Sequence, residues 1–254
     1  MLSAFGRVVK TADLRRKLLF TLAMIVLYRV GTFIPAPGVS YGNVQQCLNA
    51  NVTSGGVYDI VNLFSGGALL QLSIFALGVM PYITASIIIQ LLRVVIPRFQ
   101  ELHDEGAQGQ AKLTQYTRYL TIALALLNAT TIVSMARSGV LLGNCPGIIP
   151  QDDVLHILLI IVTLCAGTTV IMWMGEQITE RGVGNGMSLL IFTSIASSFP
   201  SALGSIQRTH GWGIFAAVCG IGLLVMLAVV YVEQSVRRIP VQYAKRMIGR
   251  RTIG

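Results

Sequence analysis

Between Ile60 and Leu92 the chain reads IVNLFSGGALLQLSIFALGVMPYITASIIIQLL, 33 residues without a charge. As one helix rising 1.5 Å per residue it would be about 50 Å long, against roughly 30 Å of bilayer hydrocarbon. Gly66-Gly67 interrupts the run, and Pro81 removes an intrahelical hydrogen bond and clashes with the turn before it. The pattern predicts a half-helix over 61–72, then a span from about Ser73 to Leu92. Broken backbone survives at membrane depth only against protein or a water-filled cavity, so the stretch implies a cavity. A helix on the outer surface with no part in a pore is the other reading.

Five more apolar runs surround it: Leu18 to about Pro37, Tyr119 to Ala136, Val154 to Gly175, Gly184 to about Ile206, and Trp212 to Val232. Each is close to the 17–25 residues a helix needs to cross a bilayer. Composition agrees. Charged residues are 11% of the 254 and apolar residues 54%, with a mean hydropathy of +0.70, whereas soluble domains carry roughly 25% charge. The expected fold is all-α, a polytopic transmembrane helical bundle. Arg15, Arg16 and Lys17 precede the first run as they would a signal peptide, but no Ala-x-Ala-like site follows, so it reads as a retained anchor. Before it, 1–11 reads either as a surface amphipathic helix or as a loose basic tail.

The net charge of +9 is distributed by topology. Arg7, Lys10, Arg15, Arg16 and Lys17 precede the first span; Arg93, Arg98, Lys112 and Arg118 flank the connection between the second and third; Arg181 lies between the fourth and fifth. Arg237, Arg238, Lys245, Arg246, Arg250 and Arg251 follow the sixth. Only Arg137 and Arg208 fall on the opposite side. The positive-inside bias therefore puts both ends of the chain in the cytoplasm.

Residues suited to ordinary chemistry are sparse. Gly182-Val-Gly-Asn-Gly186 follows a helix rather than a strand and lacks a Walker lysine, so it reads as a tight reversal with Asn185 as an N-cap. His103, His156 and His210 lie in separate segments without a metal-ligand set. Cys47 and Cys145 fall in outward loops, bridged or free, while Cys165 and Cys219 lie within spans as small packing residues. Arg29 stands alone inside a span, marking function, or else snorkelling or pairing with a carbonyl. No cluster of intramembrane acids points to an ion pump.

Several motifs, in order along the chain, resemble the SecY family, the channel-forming subunits of the bacterial protein translocase. They are Asn62-Leu-Phe-Ser-Gly-Gly-Ala68, Ile74 through Gln90, Gln115-Tyr-Thr-Arg-Tyr119, Gly175-Glu-Gln-Ile-Thr-Glu-Arg-Gly-Val-Gly-Asn-Gly186, and Gln242-Tyr-Ala-Lys-Arg246. That resemblance implies ten transmembrane helices in two halves of five, of which this chain would supply helices one to six. The expected organisation is a cytoplasmic segment at 1–17, helices one to five over 18–211 with a plug at 61–72, helix six at 212–232, and the start of a basic cytoplasmic loop at 233–254.

The resemblance also implies roles. Val79 and Ile83 from helix two, with Met187 and Ile191 from helix five, would supply half of an apolar pore ring; each pair is i,i+4 and shares a helix face. Phe64, Ser65, Gly66 and Gly67 would belong to the plug, and Ile87 and Gln90 to a lateral gate. Glu176 would contact the subunit SecE. The basic residues from Arg237 to Arg251 would dock the SecA ATPase or a translating ribosome, anionic lipid being a further attraction. SecG and signal-bearing preproteins complete the implied partners, in a bacterial plasma membrane, with no cofactor and no catalysis. A small-solute transporter with its site at a broken helix is the alternative, and a membrane scaffold is a third.

Overall fold

The computed structural model describes residues 11–40, 42–44, 65–69, 71–138, 153–236, 246–248 and 251–253. Phe64 and the start of the expected half-helix, Cys47, Cys145, Arg237, Arg238, Lys245 and Arg250 lie outside them. Two compact units divide the chain, 1–200 and 201–254. Along it run α1 (Ala12–Phe33), α2 (Met80–Val95), α3 (Pro97–Asp104), α4 (Ala107–Arg137) and α5 (Val154–Arg181). They are followed by α6 (Gly186–Thr209) and α7 (Gly211–Glu233). β1 (Arg246–Ile248) and β2 (Arg251–Ile253) then pair antiparallel, with Arg246 opposite Ile253. This short hairpin lies where the sequence predicts only the start of a loop.

The interruption in the decisive stretch is longer than two glycines suggest. A helix was expected from about Ser73, but α2 begins at Met80, and 66–69 and 71–79 run through tight turns. Ala68 donates to Ser65 O, Leu72 to Leu69 O, Ala76 to Ser73 O and Gly78 to Phe75 O. Gly66, Gly67 and Gly78 have positive φ, as does Leu72 at 45°, a conformation costing a non-glycine residue about 1–2 kcal/mol. Tertiary pairing holds it there. Ala36 N–H donates to Leu72 O at 2.9 Å and Ile74 N–H to Ile34 O at 3.0 Å, making an antiparallel bridge between Pro35 and Ser73. Thus backbone that is not helical finds partners within the protein, as a site away from water requires. Pro81 sits in the first turn of α2, where its missing N–H costs nothing.

Pro97 sits likewise in the first turn of α3. Ile96 before it is extended, and α3 leaves at 101°. The helix α4 packs on both α2 and α5, and α1 packs on α5. Its buried face is Leu113, Thr117, Thr121, Ala125, Ala129 and Val133, a four-residue repeat of small or slender side chains that lets helices approach closely. Thr117 and Thr121 return their hydroxyls to the carbonyls four residues back. At Gly167 on α5 a Cβ would strike the carbonyl oxygen of Ile74, so the turn segment lies directly on a helix backbone.

Among the described residues α4, α5, α6 and α7 are long and apolar enough to cross a membrane, or five spans if α2 and α3 are taken together. α1 falls short because Arg16, Lys17 and Arg29 charge it. α2 has only 16 residues, about 24 Å of helix. That helix needs the turn-rich stretch before it to complete a crossing. Cys165 packs against the apolar cluster formed by Leu72, Ala125, Ala129 and Leu164.

Candidate functional site

The four predicted ring residues come from two helix starts. Val79 is the N-cap of α2 and Ile83 lies one turn later; Met187 follows Gly186 at the start of α6, with Ile191 again one turn on. All four belong to one apolar cluster with Met24 and Tyr28 of α1 and with Ile171, Met174 and Ile178 of α5. Val79 and Met187 are buried, whereas Ile83 and Ile191 are half-buried.

Local structure explains how α6 is aimed. Asn185 Oδ1 accepts from the N–H groups of Met187 at 3.0 Å and Ser188 at 3.3 Å, the N-cap expected from the glycine-rich loop. Thr179 Oγ1 takes the Gly186 N–H, and Thr21 Oγ1 takes that of Val183. The reversal between α5 and α6 is thereby tied to α1.

Beside the cluster opens a cavity of about 500 Å³. Ile83, Met187 and Ile191 line its apolar part, Ile87 and Gln90 continue along α2, and Arg118, Glu176, Glu180 and Asn185 supply polar walls. Arg118 grips Glu176 through two hydrogen bonds, Nε to Oε1 and Nη2 to Oε2, each 2.8 Å. This fork-to-fork pair joins α4 to α5. Sequence reasoning placed Glu176 at a subunit contact and Arg118 only among the topology charges; their opposite signs at the adjoining ends of two spans were the available signal. Of the lateral-gate candidates, Ile87 is exposed and Gln90 donates to Ser86 Oγ at 3.4 Å.

The described plug candidates, Ser65, Gly66 and Gly67, seat against the same helices. Ser65 is buried and its Oγ accepts from Leu69 N–H at 3.1 Å. Gly66 offers its carbonyl to Arg29 Nη1 at 2.8 Å. Gly67 follows with φ 90°. Nearby, Tyr28 Oη and Ser194 Oγ share a buried hydrogen bond of 2.6 Å. Of the basic tail, Arg246 and Arg251 lie on the hairpin strands.

A family model described as SecY matches residues 73–254. The chain belongs to the SecY family. SecY proteins similar to it include the protein translocase subunit SecY of Micrococcus luteus, 63% identical over 254 residues, covering all of this chain and 58% of that protein. Another is that of Streptomyces scabiei, 59% identical over 261 residues, covering all of this chain and 60% of that protein. The chain thus spans somewhat over half the length of these curated SecY relatives. Among solved structures, a protein-conducting channel matches with a TM-score of 0.58 at 20% identity, over 94% of this chain and 52% of that one. Sec61 in the canine ribosome-channel complex from the endoplasmic reticulum matches with a TM-score of 0.57 at 20% identity, over 89% and 49%. These structural likenesses show the fold alone; the bacterial relatives and the long apolar helices make this a bacterial multi-pass membrane protein.

Proposed function

We propose that this chain forms the first part of a protein-conducting channel, passing unfolded, signal-bearing polypeptides across the bacterial plasma membrane and releasing membrane segments sideways into lipid. The observation that supports it is the convergence of Val79, Ile83, Met187 and Ile191 in one apolar cluster beside a cavity with polar walls. An apolar constriction excludes ions by dewetting yet offers a passing chain no fixed polar contact. Around it, Phe64 to Gly67 act as the plug, and Ile87 and Gln90 as one wall of a lateral gate. The Gly175–Gly186 segment, Glu176 above all, contacts SecE, with SecG also attached. Reconstitution of the full protein with SecE and SecA, followed by protection of a preprotein from added protease, tests the reading; no protection, with ATP present and the channel folded, would remove it. A solute carrier would place polar side chains around the break, whereas 74–92 is apolar apart from Tyr82, Thr84, Ser86 and Gln90.

The channel does no chemistry of its own, so a motor must dock. The array Arg237, Arg238, Lys245, Arg246, Arg250 and Arg251 serves SecA or the ribosome, with anionic lipid competing for it. Replacing Arg246 and Arg250 by Glu changes the local charge by four units, so SecA-driven translocation should drop at least tenfold while membrane insertion persists. Full transport at normal channel abundance would end the docking assignment.

Both ends of the chain face the cytoplasm. With the native cysteines removed, single cysteines introduced at residues 47, 145 and 209 should react with an impermeant maleimide in intact cells, while one replacing Lys245 should stay unlabelled. Labelling of residue 245 alone would invert the topology.

A further inference from the structure

Arg29 is the charge inside the first apolar run, and it has no carboxylate within ion-pair distance among the described residues. What it has instead is the Gly66 carbonyl at 2.8 Å, the Thr32 hydroxyl at 3.5 Å and the face of Phe33 at 4.9 Å. Among the described residues this half-buried guanidinium thus meets one backbone oxygen at short range, a more distant hydroxyl and an aromatic ring. That oxygen belongs to the turn that interrupts the decisive stretch. On its other side the turn meets α6, since a Cβ at Gly66 would lie 3.3 Å from Arg29 Nη1, from Ser194 Cα and from Ser197 Oγ. The φ of 66° at Gly66 directs its carbonyl without the strain a side chain would add.

We propose that Arg29 is a positioning residue that latches the Gly66-Gly67 turn in its seat between α1 and α6, keeping the resting pore sealed. The proposal rests on the channel reading above. In the closed, dry pore the Gly66 carbonyl is the acceptor the cation needs, so withdrawing the turn strands a charge. Once the pore is wetted, water replaces that carbonyl and the cost of withdrawal falls. Arg29 therefore couples the position of the turn to the hydration of the pore, favouring the two end states, sealed and dry or open and wet, over an open, dry intermediate. An acid partner would remove this dependence, because a salt bridge would satisfy Arg29 wherever the turn lay. Thr32 holds its own hydroxyl on Arg29 O at 2.7 Å, which leaves its oxygen as a weak, longer-range acceptor for the guanidinium.

The test uses the full protein reconstituted with SecE, carrying Ser65→Cys in a background without native cysteines. Arg29→Met keeps side-chain length and removes all donors; Arg29→Lys keeps the charge and a donor. Without preprotein, Arg29→Met should raise both resting ion conductance and the labelling rate at residue 65 by an impermeant maleimide about tenfold or more, the loss expected for one charge-assisted hydrogen bond. Arg29→Lys should return both towards the parental values. Gly66→Ala, which displaces the carbonyl and leaves Arg29 in place, should leak like Arg29→Met and decides the matter should Arg29→Met fail to accumulate. Parental conductance and labelling in Arg29→Met or Gly66→Ala, or a lysine variant as leaky as the methionine one, would overturn the latch while leaving the channel intact. Absence of preprotein transport by the parent itself would instead overturn the channel reading.

Discussion

Changing Ile83 and Ile191 together to Ser is expected to raise the resting ion conductance of the full channel, reconstituted with SecE in planar bilayers, by about tenfold or more. The two side chains are half-buried and line the cavity, whereas Val79 and Met187 are buried among α1 and α5 side chains. Truncating the first pair therefore opens the passage without removing the centre of the cluster. Serine also brings a hydroxyl that binds water, so the site loses bulk and its tendency to dewet in one step. The fold should survive, because full burial of an aliphatic side chain contributes about 1.5–3 kcal/mol and these two are only partly covered. Deleting residues 61–67 as well should raise conductance further by removing a second barrier. A folded double variant as tight as its parent, with that segment also deleted, would return all four residues to ordinary helix packing.

The spans were legible because lipid admits few charges, so their absence over long runs carries most of the information. The Asn185 cap was legible because capping is local, a side chain acting on N–H groups two and three residues ahead. What the sequence could not display was pairing at a distance. The helix expected from Ser73 is displaced to Met80 because Leu72 and Ile74 bond to Ala36 and Ile34, and nothing within 60–92 announces that partner. Leu72 has no local reason to adopt a positive φ; the bridge imposes it. The same holds for charges. Arg118 and Glu176 are separated by 58 residues, and counting basic residues for topology treats each one alone. Arg29 was marked by its depth and a carbonyl was one partner open to it, but nothing local singles out the carbonyl of Gly66, a group that every residue carries.

The second large effect is expected at Gly167, where Val should destabilise the folded protein by about 3 kcal/mol or more. A Cβ there would overlap the Ile74 carbonyl oxygen, with the Ile74 carbonyl carbon at 2.9 Å and its Cγ2 at 3.1 Å. A flexible neighbour could swing aside. This one is backbone, and its own N–H is bonded to Ile34 O at 3.0 Å. Relief therefore requires α5 to part from the turn segment, which would also draw Ile171 and Met174 away from Phe75 and Val79 in the cluster beside the cavity. The cost joins overpacking to lost burial, and the second branch of valine denies the side chain an easy rotamer. Gly204, also helical, has no described residue within 4 Å of where a Cβ would lie; Val there supplies a control for helix propensity alone. Reversible unfolding of both variants in detergent, followed by far-ultraviolet circular dichroism, should show the Gly167 variant with a much lower midpoint and the Gly204 variant near the parent. Equal midpoints for the two would mean that α5 does not approach Ile74 this closely, and the seating of the turn segment against α5 would have to be redrawn.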